Sequence, residues 1–343
     1  MFRTTLSALL IGTVVSFAST APAQQVTDIA WGTSAVGSVG HTALVSLATV
    51  LNREMKDYRV TVQPTPGAVV TVKGYATGQF LGYYGADIAF YEMANDTARF
   101  KGFKAQMKRE PVQSFWAFTL EVGLGIPASE QGKIKQWRDL SGKQVFTGPL
   151  PWDTRAQAER ALATLGVKHQ YVEVDLKTVG SVLNSGRVSG ITVYSSAESG
   201  TPPWLTEASL SADWAALNPS AEEIALLKKA GFSIVELDPK VFKRDVHVSK
   251  VTLLPFYYGF HVGLEVSEND VYRMLTVIEK NLDELVKADK AFAQIKANMA
   301  QMQRRGVAAS IEFVPVHPGL AKYMREKGVW DSKWDNRIAR KSS

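Results

Sequence analysis

The chain has 343 residues, 45% hydrophobic and 21% charged, with a formal charge of +6 and no cysteine. This composition excludes a disordered chain and provides apolar material for two domains or lobes. The missing thiols exclude disulfides, thiol catalysis, thiolate metal sites and a lipid-modified cysteine.

The N-terminal segment has a positive start at Arg3, an apolar run from Leu6 to Ala18, and the small residues Ala21 and Ala23. This pattern predicts a secretory signal peptide, residues 1–23, cut after Ala23, and a periplasmic mature chain with no membrane anchor of its own. Cleavage removes Arg3 and no acid, so +6 becomes +5. The remaining Lys and Arg residues are scattered and form no stripe with aromatics, which argues against nucleic acid.

A strand is expected at Val26–Trp31, followed by a glycine-rich turn through Gly32, Gly37 and Gly40. Leu44, Leu47, Ala48 and Leu51 then repeat at helical spacing to about Met55. Tyr58–Gln63 reads as a strand broken by Thr65-Pro66-Gly67, Val69–Thr77 as a helix, Ala86–Tyr91 as a strand, and Phe115–Gly125 as a long strand. The second half restarts the pattern: strand at Gln144–Thr147, loop at Gly148–Asp153, helix at Thr154–Leu165, strand at Tyr171–Val174, helix at Thr178–Ser185, and strand at Val188–Tyr194. Helices follow at Ala221–Ala230, Glu268–Asn298 and Leu320–Glu326, with strands at Phe232–Glu236 and Tyr257–Leu264. Alternating strands and helices predict α/β layers, and the repeated strand–loop–helix order predicts two similar lobes facing each other.

Both glycine-rich loops lead into helix starts, where unpaired N–H groups and the helix dipole favour an anion. In the first loop Thr33, Ser34 and Ser38 add hydroxyl donors, although a plain tight turn explains them equally well. In the second loop Thr154 and Gln157 fit a capping box. Arg155 would then oppose the helix dipole in the first turn. Two roles stay open for Arg155: a planar fork for an anion, or a partner of Asp153 or water. No catalytic site stands out. Phosphate-loop, nucleophile-elbow and paired-histidine zinc motifs are missing. Gly123 to Ala128 mimics a dinucleotide fingerprint, but Pro127 interrupts it. The five scattered histidines suggest structural roles, so no metal or cofactor is expected.

Several ordered segments resemble the TAXI group of extracytoplasmic solute-binding proteins, which serve TRAP transporters. They are the Gly32–Gly40 loop with its helix, Thr65 to Val69, Ala86 to Ala89, Leu140 to Val145, Gly148-Pro149 with Thr154-Arg155, Asn281 to Leu285, and Val316 to Tyr323. The resemblance spans nearly all of the mature chain. It implies a type II periplasmic-binding-protein-like α/β fold, with two lobes joined by a hinge and a ligand cleft between them. The expected division is residues 24–121 with 256–343, and residues 122–255.

The resemblance also implies a TRAP permease as partner and a small-molecule ligand, an organic acid or amino acid. Thr154, Arg155 and the first loop would line the site. His317 and Pro318 match a terminal signature and read as structural. Leu150, Pro151, Trp152 and Asp153 depart from the family's small residues, and Trp152 offers a face for a flat ligand. Glu92 and Ala68 also depart from the family pattern, and Phe80–Gly85 reads as an insertion carrying Tyr83 and Tyr84. The resulting ligand set is Thr33, Ser34, Ser38, Glu92, Trp152, Asp153, Thr154, Arg155 and Tyr194. The rival readings are a secreted enzyme acting on a small organic acid and a ligand-sensing module of a membrane receptor.

Overall fold

The structure is a computed structural model that describes residues 26–341; the signal-peptide reading lies outside the described residues. The first run comprises β1 (Thr27–Thr33), α1 (Val39–Glu54), β2 (Tyr58–Pro64), α2 (Ala68–Thr77), β3 (Gly82–Ala86) and α3 (Asp87–Ala94). Helix α1 buries Ala43, Leu44, Leu47, Ala48 and Leu51, the stripe expected from its spacing. Helix α2 ends where Gly78 takes a left-handed conformation, φ 94°.

One expectation fails around β3. Phe80–Gly85, read as an insertion, supplies most of the third strand of the sheet, and Asp87 opens a helix where a strand was expected. Ile88, Ala89, Phe90 and Met93 are all buried, and an apolar run as short as Ile88–Tyr91 cannot by itself separate a strand from a buried helix. Glycine 82 is required here, because a Cβ would lie 2.5 Å from the Trp31 indole across the strand pair.

The chain continues with β4 (Trp116–Pro127), β5 (Gln144–Phe146), α4 (Asp153–Thr164), β6 (Gln170–Tyr171), α5 (Val179–Asn184) and β7 (Gly190–Ser196). Then come α6 (Pro203–Ser211), β8 (Trp214–Leu217), α7 (Ala221–Lys229), β9 (Val235–Leu237) and β10 (Val251–Val262). Helices α8 (Glu268–Lys280), α9 (Leu282–Ala288), α10 (Ala293–Ser310) and α11 (Pro318–Glu326) close the chain. The sequence reading had no α6 or β8, and it started β10 at Tyr257.

The strands order as β2-β1-β3-β10-β4-β7-β5-β6, with β8 on β4 and β9 on β10. The two 12-residue strands β4 and β10 hold this arrangement together. They pair antiparallel with each other from Trp116 to Val122. The end of β10 continues along β3, while the end of β4 continues along β7 and β8. One lobe therefore packs its core around β1, β3 and the helices α8, α10 and α11. The other has cores on both faces of its sheet, one around Trp214 and Phe242, the other around Trp137 and Leu227. Among the described residues no helix is long and apolar enough to cross a membrane.

Where the lobes meet, Glu121 on β4 is buried. Its carboxyl group accepts from the Thr119 and Ser195 hydroxyls and from the Glu198 N–H at 3.1 Å. Burial pushes its pKa up to about 8, well above an ordinary carboxylate. The folded state thus favours the neutral acid. That contribution is complete below the unfolded pKa of about 4.5 and is lost as pH rises towards 8. Asp87, pushed up to about 7 by burial, acts in the same direction. Wild-type unfolding free energy should therefore fall between pH 6.5 and 8.5 in urea titrations. Glu121→Gln should reduce that fall by about 2 kcal/mol; an unchanged slope would contradict the assignment.

Candidate functional site

Three helix starts converge between the lobes. Ser38, Val39 and Gly40 begin α1, Gly67 and Ala68 begin α2, and Trp152, Asp153 and Thr154 begin α4; all line one cleft with Ser34, Tyr84, Leu120, Tyr194 and Tyr258. The first loop turns at Gly37, whose φ of 81° suits glycine. Ser38 caps α1 by accepting from the His41 N–H at 3.3 Å, and its hydroxyl lies 2.6 Å from that of Ser34. The caps of α2 and α4, Gly67 and Trp152, make no side-chain cap bond. The residues that begin both helices line the cleft, which places the positive ends of two dipoles beside it.

The walls are aromatic for a reason of register. Strand β3 runs antiparallel to β10 with Tyr84 opposite Phe260 and Ala86 opposite Tyr258. Tyr84 then stacks on Tyr258, ring centres 4.4 Å apart and planes 7° from parallel. The alternation of a strand turns the adjacent Tyr83 away, where its hydroxyl donates to the Val112 carbonyl at 2.7 Å. Thr71 fixes Tyr84 from behind: its hydroxyl donates to the Tyr84 carbonyl at 2.6 Å and accepts from the Tyr84 N–H at 3.1 Å. From the other lobe, Trp152 meets Tyr194 edge-on at 6.5 Å, and the Trp204 indole N–H donates to the Tyr194 hydroxyl at 3.2 Å. Burial raises the pKa of Tyr84, Tyr194 and Tyr258, so these hydroxyls remain protonated.

Asp153 ties the two sides together. It is buried, and Arg99 Nη1 donates to its Oδ1 at 2.6 Å while the Tyr258 hydroxyl donates to its Oδ2 at 2.7 Å. Arg99 Nε donates in turn to Glu92 at 2.8 Å. Burial raises the pKa of Glu92, and Arg99 offsets this only in part. For Arg99 burial works to lower the pKa, but Asp153 and Glu92 outweigh it and hold the guanidinium above its usual value.

Six of the nine expected residues line this cleft: Ser34, Ser38, Trp152, Asp153, Thr154 and Tyr194. Three do not. Thr33 is fully buried at the end of β1, behind the loop. Glu92 faces Arg99, and with Arg155 it lines a separate depression between α3 and α4. Arg155 stacks on the Tyr171 ring at 3.6 Å and lies 3.6 Å from Glu159 one turn along the helix. The expected capping box is the source of this error. Helix α4 starts at Asp153 with Trp152 as its cap, so Thr154 is already helical and Gln157 Oε1 has no partner. At about 100° per residue, the next side chain after Thr154 turns off the cleft. Tyr84, Tyr258, Gly67 and Arg99 were not foreseen. Tyr84 was visible as an aromatic pair with Tyr83, but its strand was read as an insertion.

This is the architecture of a periplasmic binding protein, with two α/β lobes on two crossing strands and a cleft between them. A family model for the NMT1-like family matches residues 31–328, and the chain belongs to that family. No curated protein matches it in sequence. Among solved structures it is similar to MatC from Rhodopseudomonas palustris with bound malate, at TM-score 0.50 and 11% identity, over 91% of this chain and 99% of that one. It is also similar to the periplasmic aliphatic sulphonate binding protein SsuA from Escherichia coli, at TM-score 0.45 and 13% identity, over 87% and 78%. XAC2383 from Xanthomonas citri bound to ATP gives TM-score 0.46 and 11% identity, over 91% and 99%. At these identities the likeness is one of fold.

Gly40 tests the placement of Tyr84. A Cβ at this position would lie 2.4 Å from the Tyr84 ring and 2.9 Å from the Ser34 hydroxyl. Gly40→Ala should destabilise the chain by about 1–3 kcal/mol in chemical denaturation. An unaffected midpoint would mean that Tyr84 is not seated against α1.

Proposed function

We propose that this chain is a periplasmic solute-binding protein that captures a small organic molecule between its lobes and delivers it to a membrane permease. The observation carrying this reading is the convergence of three helix starts and four aromatic side chains, drawn from both lobes, on one cleft. Because both lobes contribute, a solute gains its full contact energy only when they close on it, which couples binding to a shape that a permease can read. Residues 24–121 with 256–343 form one lobe in this reading, and residues 122–255 the other.

The cleft suits a flat body between Trp152, Tyr194 and the Tyr84–Tyr258 stack, with an anionic or acceptor-rich end towards Ser34, Ser38 and the helix starts. The ligand set becomes Ser34, Ser38, Tyr84, Trp152, Thr154, Tyr194 and Tyr258. Thr33 supports the loop from behind. Arg155 lies off the cleft, and no lysine or arginine is among the described residues lining it, so in this reading the anion is held by dipoles and hydroxyls. The ordered resemblance to TAXI proteins supports a TRAP permease as the receiving partner, and the bound malate in the MatC structure makes small carboxylates a rational first panel.

A thermal-shift screen of organic acids, amino acids and aromatic carboxylates tests this. A true ligand raises the melting temperature by mass action. Trp152→Ala should reduce affinity for that ligand at least about tenfold, and the double variant Ser34→Ala with Ser38→Ala should do likewise. Arg155→Ala should leave the shift intact. A shift lost with Arg155 and kept without Trp152 would move the site to the depression between α3 and α4.

A further inference from the structure

Asp153 belongs to α4 of the second lobe, whereas Arg99, Glu92 and Tyr258 belong to the first. All four carry polar side chains that are largely out of solvent, with exposures of 0% for Asp153, 17% for Arg99 and 9% for Glu92. Both oxygens of Asp153 are already engaged, at 2.6 Å by Arg99 and at 2.7 Å by Tyr258. The backbone closes up beside this pair. The Pro151 carbonyl would be 3.0 Å from a Cβ at Gly67, so the start of α2 and the start of α4 meet only because residue 67 has no side chain. Arg99 also points Nη1 at the Pro151 carbonyl, 3.5 Å away.

We propose that Asp153, Arg99 and Tyr258 form a built-in clasp that holds the lobes together, and that Asp153 fills the place at the α4 start which a ligand's charge would otherwise take. Two physical points support it. A carboxylate in the first turn of a helix is favoured by the dipole, so Asp153 offsets the positive end of α4 from within the chain. A charge left buried without its partner is strongly penalised, so removing Asp153 leaves Arg99 short of a partner in the closed form and shifts the balance towards open lobes. Closure thus draws on the chain's own ion pair, and the solute has only to fill the aromatic cleft and satisfy the α1 and α2 starts. This makes Asp153 and Arg99 specificity-determining residues that disfavour a second strong anionic group on the α4 side.

The inference rests on reading the cleft as the solute site, but its test needs no solute. The chain has no cysteine, so dyes can be placed on Val45→Cys in α1 and Leu210→Cys in α6, both exposed positions on opposite lobes. Single-molecule energy transfer without solute should show one dominant high-transfer population. Asp153→Asn, which keeps shape and removes charge, should raise the low-transfer fraction at least about tenfold. Tyr258→Phe, which removes one hydroxyl, should move it the same way by less, and it carries the test if Asp153→Asn does not fold by circular dichroism. Identical distributions in wild type and both variants would overturn the clasp, as would a wild-type chain that is mainly low-transfer. Either result leaves the ligand screen standing on its own.

Discussion

Asp153 offers two carboxyl oxygens at the start of a helix in one lobe, and the other lobe claims both of them. Much of the site follows from that contact. It fixes where α4 begins, turns Trp152 and Thr154 towards the cleft, and holds Tyr258 flat against Tyr84. Arg99 can stay buried there because it faces Glu92 as well as Asp153. In the proposed reading, a cleft whose described lining has no lysine or arginine favours an acceptor-rich solute without a cation of its own. The local cation is already committed to the chain, and the remaining positive potential comes from the ends of α1 and α2.

Two different chemistries meet along β4. On the cleft side Leu120 packs among aromatic rings. On the reverse side Glu121 lies in a nest of hydroxyls from Thr119 and Ser195, with Gln294 of α10 behind Thr119. The same crossing strand thus carries an apolar floor of the cleft and a polar seam behind it. Alternation along an extended chain produces both from consecutive residues. The neutral form of Glu121 is favoured by burial, so the seam needs no counter-charge from the site.

Most of the architecture was legible in the sequence. The α1 stripe, the loop at Gly32–Gly40, the long β4 and the break at Gly148–Asp153 each have local signatures, of periodicity, glycine or proline, and the structure follows them. The failures are equally local. Ala86–Tyr91 is apolar apart from Asp87 and too short for its period to decide between strand and helix, and the strand went unread at Gly82–Ala86. The α4 start was misplaced by one residue because Thr154 and Gln157 imitate a capping box. In a helix one residue is enough to change which side chain reaches the cleft, and Arg155 was expected there alongside Asp153 and Thr154. Arg99 and Tyr258 could not be found from spacing at all. They reach Asp153 only through the packing of two lobes separated along the chain.

Solute is expected against Tyr84 and Trp152, at the meeting of the three helix starts. A crystal structure of the chain with the strongest ligand from solution tests it most directly. The expected result is ligand density between the Tyr84–Tyr258 stack and Trp152, with its acceptor end at Ser34 and Ser38 and the Asp153–Arg99 pair intact. Density beside Arg155 and Glu92, in the depression between α3 and α4, would contradict the account.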